Sequence, residues 1–129
     1  MITQYSGASR AAECRILSTP SSVMSISTSA NQEDFVSMGS IGVLHLKKII
    51  YNTEIVLSIE LLCALRGIQL TKKELGKFNI NKLGKVNEKA YKILLEKLGD
   101  NTNDKYLRDD MNTALEVLKS EKFKNLFDN

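Results

Sequence analysis

Apolar side chains recur at helical spacing from the start of the chain. Ile2, Tyr5, Ala8, Ala12 and Ile16 fall at intervals of three and four, marking one face of a helix over residues 1–17. No capping residue precedes Ile2, so the pattern reads as a helix continuing upstream. Thr19-Pro20 ends it, because the residue before a proline is pushed out of the helical region. Residues 18–31 then carry mostly Ser and Thr, with Val23, Met24 and Ile26 the only sizeable apolar side chains. Composition alone would pass this segment as a linker.

A second, longer helix is predicted from 32 to 66, roughly 50 Å long at 1.5 Å per residue. Ser29 with Gln32 fits a capping box, and Asn31 with Asp34 offers an alternative N-cap. Glu33 and Asp34 then fall in the first turn, where free N–H groups and the helix dipole favour negative charge. A capping box needs no function, and this stretch can be read as a helix start and nothing more. Gly39 and Gly42 weaken the first part by about 1 kcal/mol each relative to Ala. From Ile55 to Leu65 the helix is apolar almost all round, a pattern of burial on every side that implies a missing partner surface. Glu60 inside that run needs a cationic or hydrogen-bonding mate wherever it is buried. Gly67 suits the C′ position, with Arg66 placed for the C-terminal dipole.

Residues 67–129 read as shorter amphipathic helices. Val86, Ala90, Ile93, Leu94 and Leu98 form one face, ended by Gly99. Met111, Ala114, Leu115 and Leu118 form another behind Asp109 or Asp110 as cap. Ser120 starts a last turn holding Phe123, Leu126 and Phe127. No strand pair alternates convincingly and no repeat is present, so the predicted fold class is all-α, a single helical segment over 1–129.

Composition and charge remove alternatives. The net charge of +3 comes from basic residues interleaved with acids rather than clustered, which is no nucleic-acid footprint. Two isolated cysteines, Cys14 and Cys63, lack metal-ligand spacing and suggest reduced thiols in a cytoplasmic protein. With His45 the only histidine, a His-rich metal site is excluded, and His45 reads as a packing or surface residue. No apolar run reaches the roughly 18 residues of a membrane span, and Met1–Pro20 lacks a signal-peptide core. There is no Gly-rich phosphate loop and no Ser/His/Asp arrangement.

The stretch from Ser22 to Gly39, which contains Thr28-Ser29-Ala30-Asn31-Gln32-Glu33-Asp34-Phe35-Val36-Ser37-Met38-Gly39, resembles the C-terminal signature of the histidine ammonia-lyase family. Met1–Tyr5 resembles that family's central helix, Ile59–Ile68 the segment after the signature, and Asp104–Met111 its late helix entry. The resemblance covers nearly the whole chain and implies the C-terminal helical part of an ammonia-lyase, with 18–31 an ordered signature loop rather than a linker. It implies elimination of ammonia from L-histidine to give trans-urocanate, by an enzyme that is a homotetramer in the family. No nucleic-acid or membrane partner is implied.

The family's electrophile is a methylidene-imidazolone built from its own Ala-Ser-Gly backbone. That tripeptide does not occur here; Gly7-Ala8-Ser9 has the wrong order. The resemblance therefore implies that the electrophile and the upstream catalytic tyrosines come from a missing N-terminal part. Glu33 matches the family's active-site glutamate, which faces the imidazole and binds it or helps proton transfer. Gln32 and Asn31 match neighbouring substrate-binding positions. Three positions depart from the family pattern: Phe35 and Thr19 stand where His is common, and Met24 where Asp is usual. Phenylalanine and tyrosine ammonia-lyases or aminomutases usually carry Asn-Gln-Asp without the extra Glu, so Gln32-Glu33-Asp34 favours histidine. A catalytically inactive helical remnant or assembly module is the alternative from another class.

Overall fold

The structure, a computed structural model, describes residues 2–76 and 83–127. Among the described residues every regular element is helical, in the order α1 (Ile2–Leu17), α2 (Gly39–Leu75), α3 (Lys85–Leu98), α4 (Arg108–Lys119) and α5 (Glu121–Lys124). Short 3₁₀ turns at Ser21–Met24 and Ser29–Asn31 interrupt the α1–α2 connection. The all-α expectation holds. Where the sequence reads as one segment, the chain divides into two compact units, Met1–Thr53 and Glu54–Asn129.

In the first unit, α1 lies against the opening turns of α2. The apolar face predicted for α1 is not the face it covers. Ile2, Tyr5, Ala8, Ala12 and Ile16 are all exposed, and the half-buried positions are Thr3, Ser6, Gly7, Arg10, Glu13, Cys14 and Leu17. The polar stripe of α1 is the one that meets α2. Among described residues 2–53 only Asn52 is fully buried, at 0% exposure. Ile41, Val43, Leu44, Leu46 and Ile50 on α2 likewise stay exposed.

The long helix begins seven residues later and ends nine residues later than the pattern predicts. The predicted capping box would need Ser29 in the β region, and Ser29 instead has φ +53°, followed by Ala30 at +53° and Asn31 at +67°. Three successive left-handed residues cannot open a right-handed helix. Met38, also at φ +53°, is the last break; its carbonyl accepts from the N–H groups of Ile41 and Gly42. At the other end Gly67 is helical, and its carbonyl accepts the Thr71 hydroxyl at 2.8 Å. The stop falls at Gly76, whose φ of +59° and N–H bond to the Lys72 carbonyl satisfy a helix end. Lys72 and Lys73 in the last turn suit the dipole there.

The second unit holds the apolar core. Leu62 and Leu65 of α2 pack with Tyr91, Leu94 and Leu98 of α3, Ala114 and Val117 of α4, and Phe123 of α5. Each such large side chain removed from water contributes roughly 1.5–3 kcal/mol before entropy is counted. The 55–65 segment is covered on one face only: Ser58, Ile59, Leu62 and Leu65 are buried, while Leu57, Glu60, Cys63 and Ala64 are exposed. Glu60 thus meets solvent and needs no buried mate. Gly99 ends α3 as predicted, with φ +64° and its N–H on the Leu95 carbonyl. Neither Asp109 nor Asp110 caps α4. Both lie in its first turn, and Leu107 precedes the helix without a side-chain bond. Ser120 does cap α5, its hydroxyl accepting from the Phe123 N–H at 3.3 Å, and Phe123 meets Phe127 edge-on with centroids 5.7 Å apart. Residues 77–82, within the predicted 67–129 span, lie outside the described residues.

Candidate functional site

The signature loop is tightly closed by its own backbone. Thr28 and Glu33 exchange both main-chain bonds: the Thr28 N–H donates to the Glu33 carbonyl at 2.9 Å, and the Glu33 N–H returns to the Thr28 carbonyl at 3.3 Å. The four residues between them make one turn, closed inside by the Gln32 N–H on the Ser29 carbonyl at 3.1 Å. Left-handed backbone costs roughly 1–2 kcal/mol at each of Ser29 and Ala30 and less at Asn31, so the paired Thr28 and Glu33 backbones hold an otherwise unfavourable turn. A second tie follows, where the Val36 N–H donates to the Ser25 hydroxyl at 2.9 Å. The segment that composition would pass as a linker is an ordered loop with a specific hydrogen-bond pattern.

That pattern brings Asn31, Gln32 and Glu33 together on one turn and leaves all three side chains exposed. The three positions that depart from the resembled family, Thr19, Met24 and Phe35, are exposed as well, Met24 at 67% and Phe35 at 63%. An exposed carboxylate that follows two amides along the chain can accept hydrogen bonds from an N–H ligand and pair with a cation.

Each unit also holds polar contacts that periodicity does not announce. The Asn52 side chain accepts from Arg10 Nη1 at 3.2 Å and donates to Glu13 Oε2 at 2.8 Å. Lys48 pairs with the other oxygen of Glu13. The Lys48 ammonium first, then the Asn52 amide, hold the Glu13 carboxyl below its ordinary pKa against the opposing effect of burial. In the second unit, Gln69 Nε2 donates to the Gly99 carbonyl at 2.8 Å, and its Oε1 accepts the Asn101 N–H at 2.9 Å. An open cleft of about 480 Å³ beside it is lined by Lys72, Lys73, Tyr91 and Asp100 among others. Asp100 is lowered mainly by the Thr102 backbone N–H, which it accepts at 2.9 Å. A burial pattern, not a motif, picks out Asn52, Gln69 and Asn101: each is a polar residue shielded from solvent.

Among the described residues no group of three His, Cys, Asp or Glu side chains converges in a metal-holding arrangement. Cys14 is half-buried and Cys63 exposed, both free. No helix among them is long and apolar enough to cross a membrane.

An ordered loop carrying Asn31-Gln32-Glu33-Asp34 joins α1 to α2, and comparison with known proteins gives the class of the chain. Residues 1–96 match the family model described as aromatic amino acid lyase. The chain belongs to that family. Curated relatives that it matches include histidine ammonia-lyases. It is 38% identical to that of Caldanaerobacter subterraneus over 120 residues, covering 93% of this chain and 22% of the relative. To that of Deinococcus radiodurans it is 41% identical over 111 residues, 86% of this chain and 20% of the relative. To that of Halalkalibacterium halodurans it is 50% identical over 74 residues, 57% of this chain and 14% of the relative. The chain thus spans about a fifth of the length of the first two.

The residues present do not fit the family's methylidene-imidazolone. Gly7-Ala8-Ser9, the nearest approach to its parent tripeptide, is in the wrong order and lies inside α1. Its backbone is committed to the helical hydrogen-bond ladder.

Proposed function

We propose that this chain supplies the Asn31-Gln32-Glu33 segment of a histidine ammonia-lyase active site, in an enzyme that releases ammonia from L-histidine to give trans-urocanate. The observation that supports it is the loop itself, a strained turn that presents two amides and a carboxylate side by side. In this reading the Glu33 carboxylate accepts from the substrate imidazole N–H and favours the protonated ring. Gln32 and Asn31 line or brace the pocket with groups that both donate and accept. The relatives' shared name and the Gln32-Glu33-Asp34 order favour histidine over phenylalanine or tyrosine as substrate. The electrophile and the tyrosines come from polypeptide outside these residues. The same reading makes the enzyme a cytoplasmic homotetramer.

The absence of Ala-Ser-Gly from the 129 residues favours a second reading, an inactive helical or assembly module. Urocanate absorbance separates the two. The purified chain alone is expected to form none. Co-expressed with an Ala-Ser-Gly-bearing N-terminal polypeptide of the family, it is expected to restore histidine-dependent urocanate formation. Production by the chain alone would overturn this account of the electrophile, and no production by any such complex would favour the inactive module.

A further inference from the structure

We propose that Asn52 is a positioning residue for the loop that carries Glu33, acting through a polar clamp with Glu13 and Arg10. The first unit has no apolar centre to fix α1 against α2. Among described residues 2–53 every large apolar side chain is exposed or only half-buried, and the one fully buried residue is an amide. That amide is satisfied from both sides, by Arg10 at 3.2 Å and by Glu13 at 2.8 Å. Glu13 is itself held by Lys48 one helical turn before Asn52.

Such a network specifies register in a way that apolar contact would not, since a buried amide left without partners costs its full desolvation. Register matters because both ends of the loop are anchored in the clamped helices. On one side the Ser18 and Thr19 N–H groups bond back to Cys14 and Ile16 carbonyls, and on the other the Met38 carbonyl is bound by α2. Gly42 of α2 also comes close to Ser21, whose hydroxyl oxygen stands 3.6 Å from where a Cβ would be. Slip or separation of α1 moves the loop's two ends apart. The unfavourable turn at Ser29–Asn31 then loses the closure that holds it.

The catalytic meaning of this clamp rests on the reading of Glu33 above; the mechanical role does not, and its test needs no catalysis. Amide hydrogen exchange in the full chain reports the loop at Thr28 and Val36, and the core at residues of α3 and α4. Asn52→Asp keeps the shape but sets a second carboxylate against Glu13, so loop protection is expected to fall by about tenfold or more. Adding Glu13→Gln reverses donor and acceptor across the same bond and should return protection to near the starting level. Core protection should stay unchanged in both variants. Unchanged loop exchange in Asn52→Asp would overturn the proposal. So would an equal loss in the loop and in α3 and α4, or a double variant no better than the single.

Discussion

A carboxylate held between an ammonium and a buried amide is sensitive to acid, and Glu13 is such a group. Its folded pKa lies below the ordinary 4.5, chiefly through Lys48 and then Asn52. A depressed folded value means that the charged form stabilises the fold above the ordinary value, and that this contribution is lost as pH falls through the lowered one. The α1–α2 contact should therefore loosen only below 4.5. Following the Asn52 side-chain amide by NMR from neutral pH into acid checks this: its resonances should shift there ahead of global unfolding, and Glu13→Gln should abolish that early step. A shift that coincides with unfolding in both proteins would remove Glu13 from the account. At this scale the sequence was informative about identity and silent about geometry. Asn31, Gln32 and Glu33 stand out by resemblance, and Ser120 by its capping chemistry. Asn52 did not, because a single Asn within an apolar helix gives no sign of which side chains cross to meet it.

Among the elements, periodicity read the later part and the end of α3, since a regular apolar face and a positive-φ glycine both act locally, but Val86 of the predicted face is exposed and Tyr91 is buried instead. It misplaced both ends of α2 because the deciding facts were conformational. At the start, left-handed residues and the Thr28–Glu33 pairing took the backbone that a capping box would have used. At the end, Gly67 has the composition of a stop but sits in the helix, and the buried Gln69 beyond it ties α2 to Gly99 and Asn101. The two glycines make a paired prediction by thermal melting. Gly67→Ala meets open space in a helical interior and should stabilise by about 0.5–1 kcal/mol. Gly99→Ala, at φ +64° and ψ −147°, enters a region essentially confined to glycine and should destabilise by about 1–3 kcal/mol. A destabilising Gly67→Ala would return the helix end to Gly67. A neutral Gly99→Ala would remove the strain assigned to that turn.

Over the whole molecule, the all-α class and the family were legible in the sequence, while the way apolar surface is shared out was not. The second unit buries its stripes in a core, whereas the first turns the apolar faces of α1 and early α2 outward and keeps the polar side inward. Periodicity identifies a stripe but does not say whether this chain covers it. The chain spans about a fifth of its first relatives' length. The proposed role of Glu33 is to work on substrate rather than merely to close a loop. It is tested most directly by kcat/KM on histidine, read with Tm, for Glu33→Gln in the chain joined to an Ala-Ser-Gly-bearing N-terminal part. Gln keeps the shape and the backbone pair with Thr28 but removes the charge, and Asp34→Asn serves as the control for charge alone. General acid–base roles contribute on the order of a hundred- to ten-thousand-fold, so kcat/KM should fall within that range with Tm nearly unchanged. Near-normal turnover in Glu33→Gln, with a loss no greater than that of Asp34→Asn, would contradict the account and leave Glu33 a structural residue.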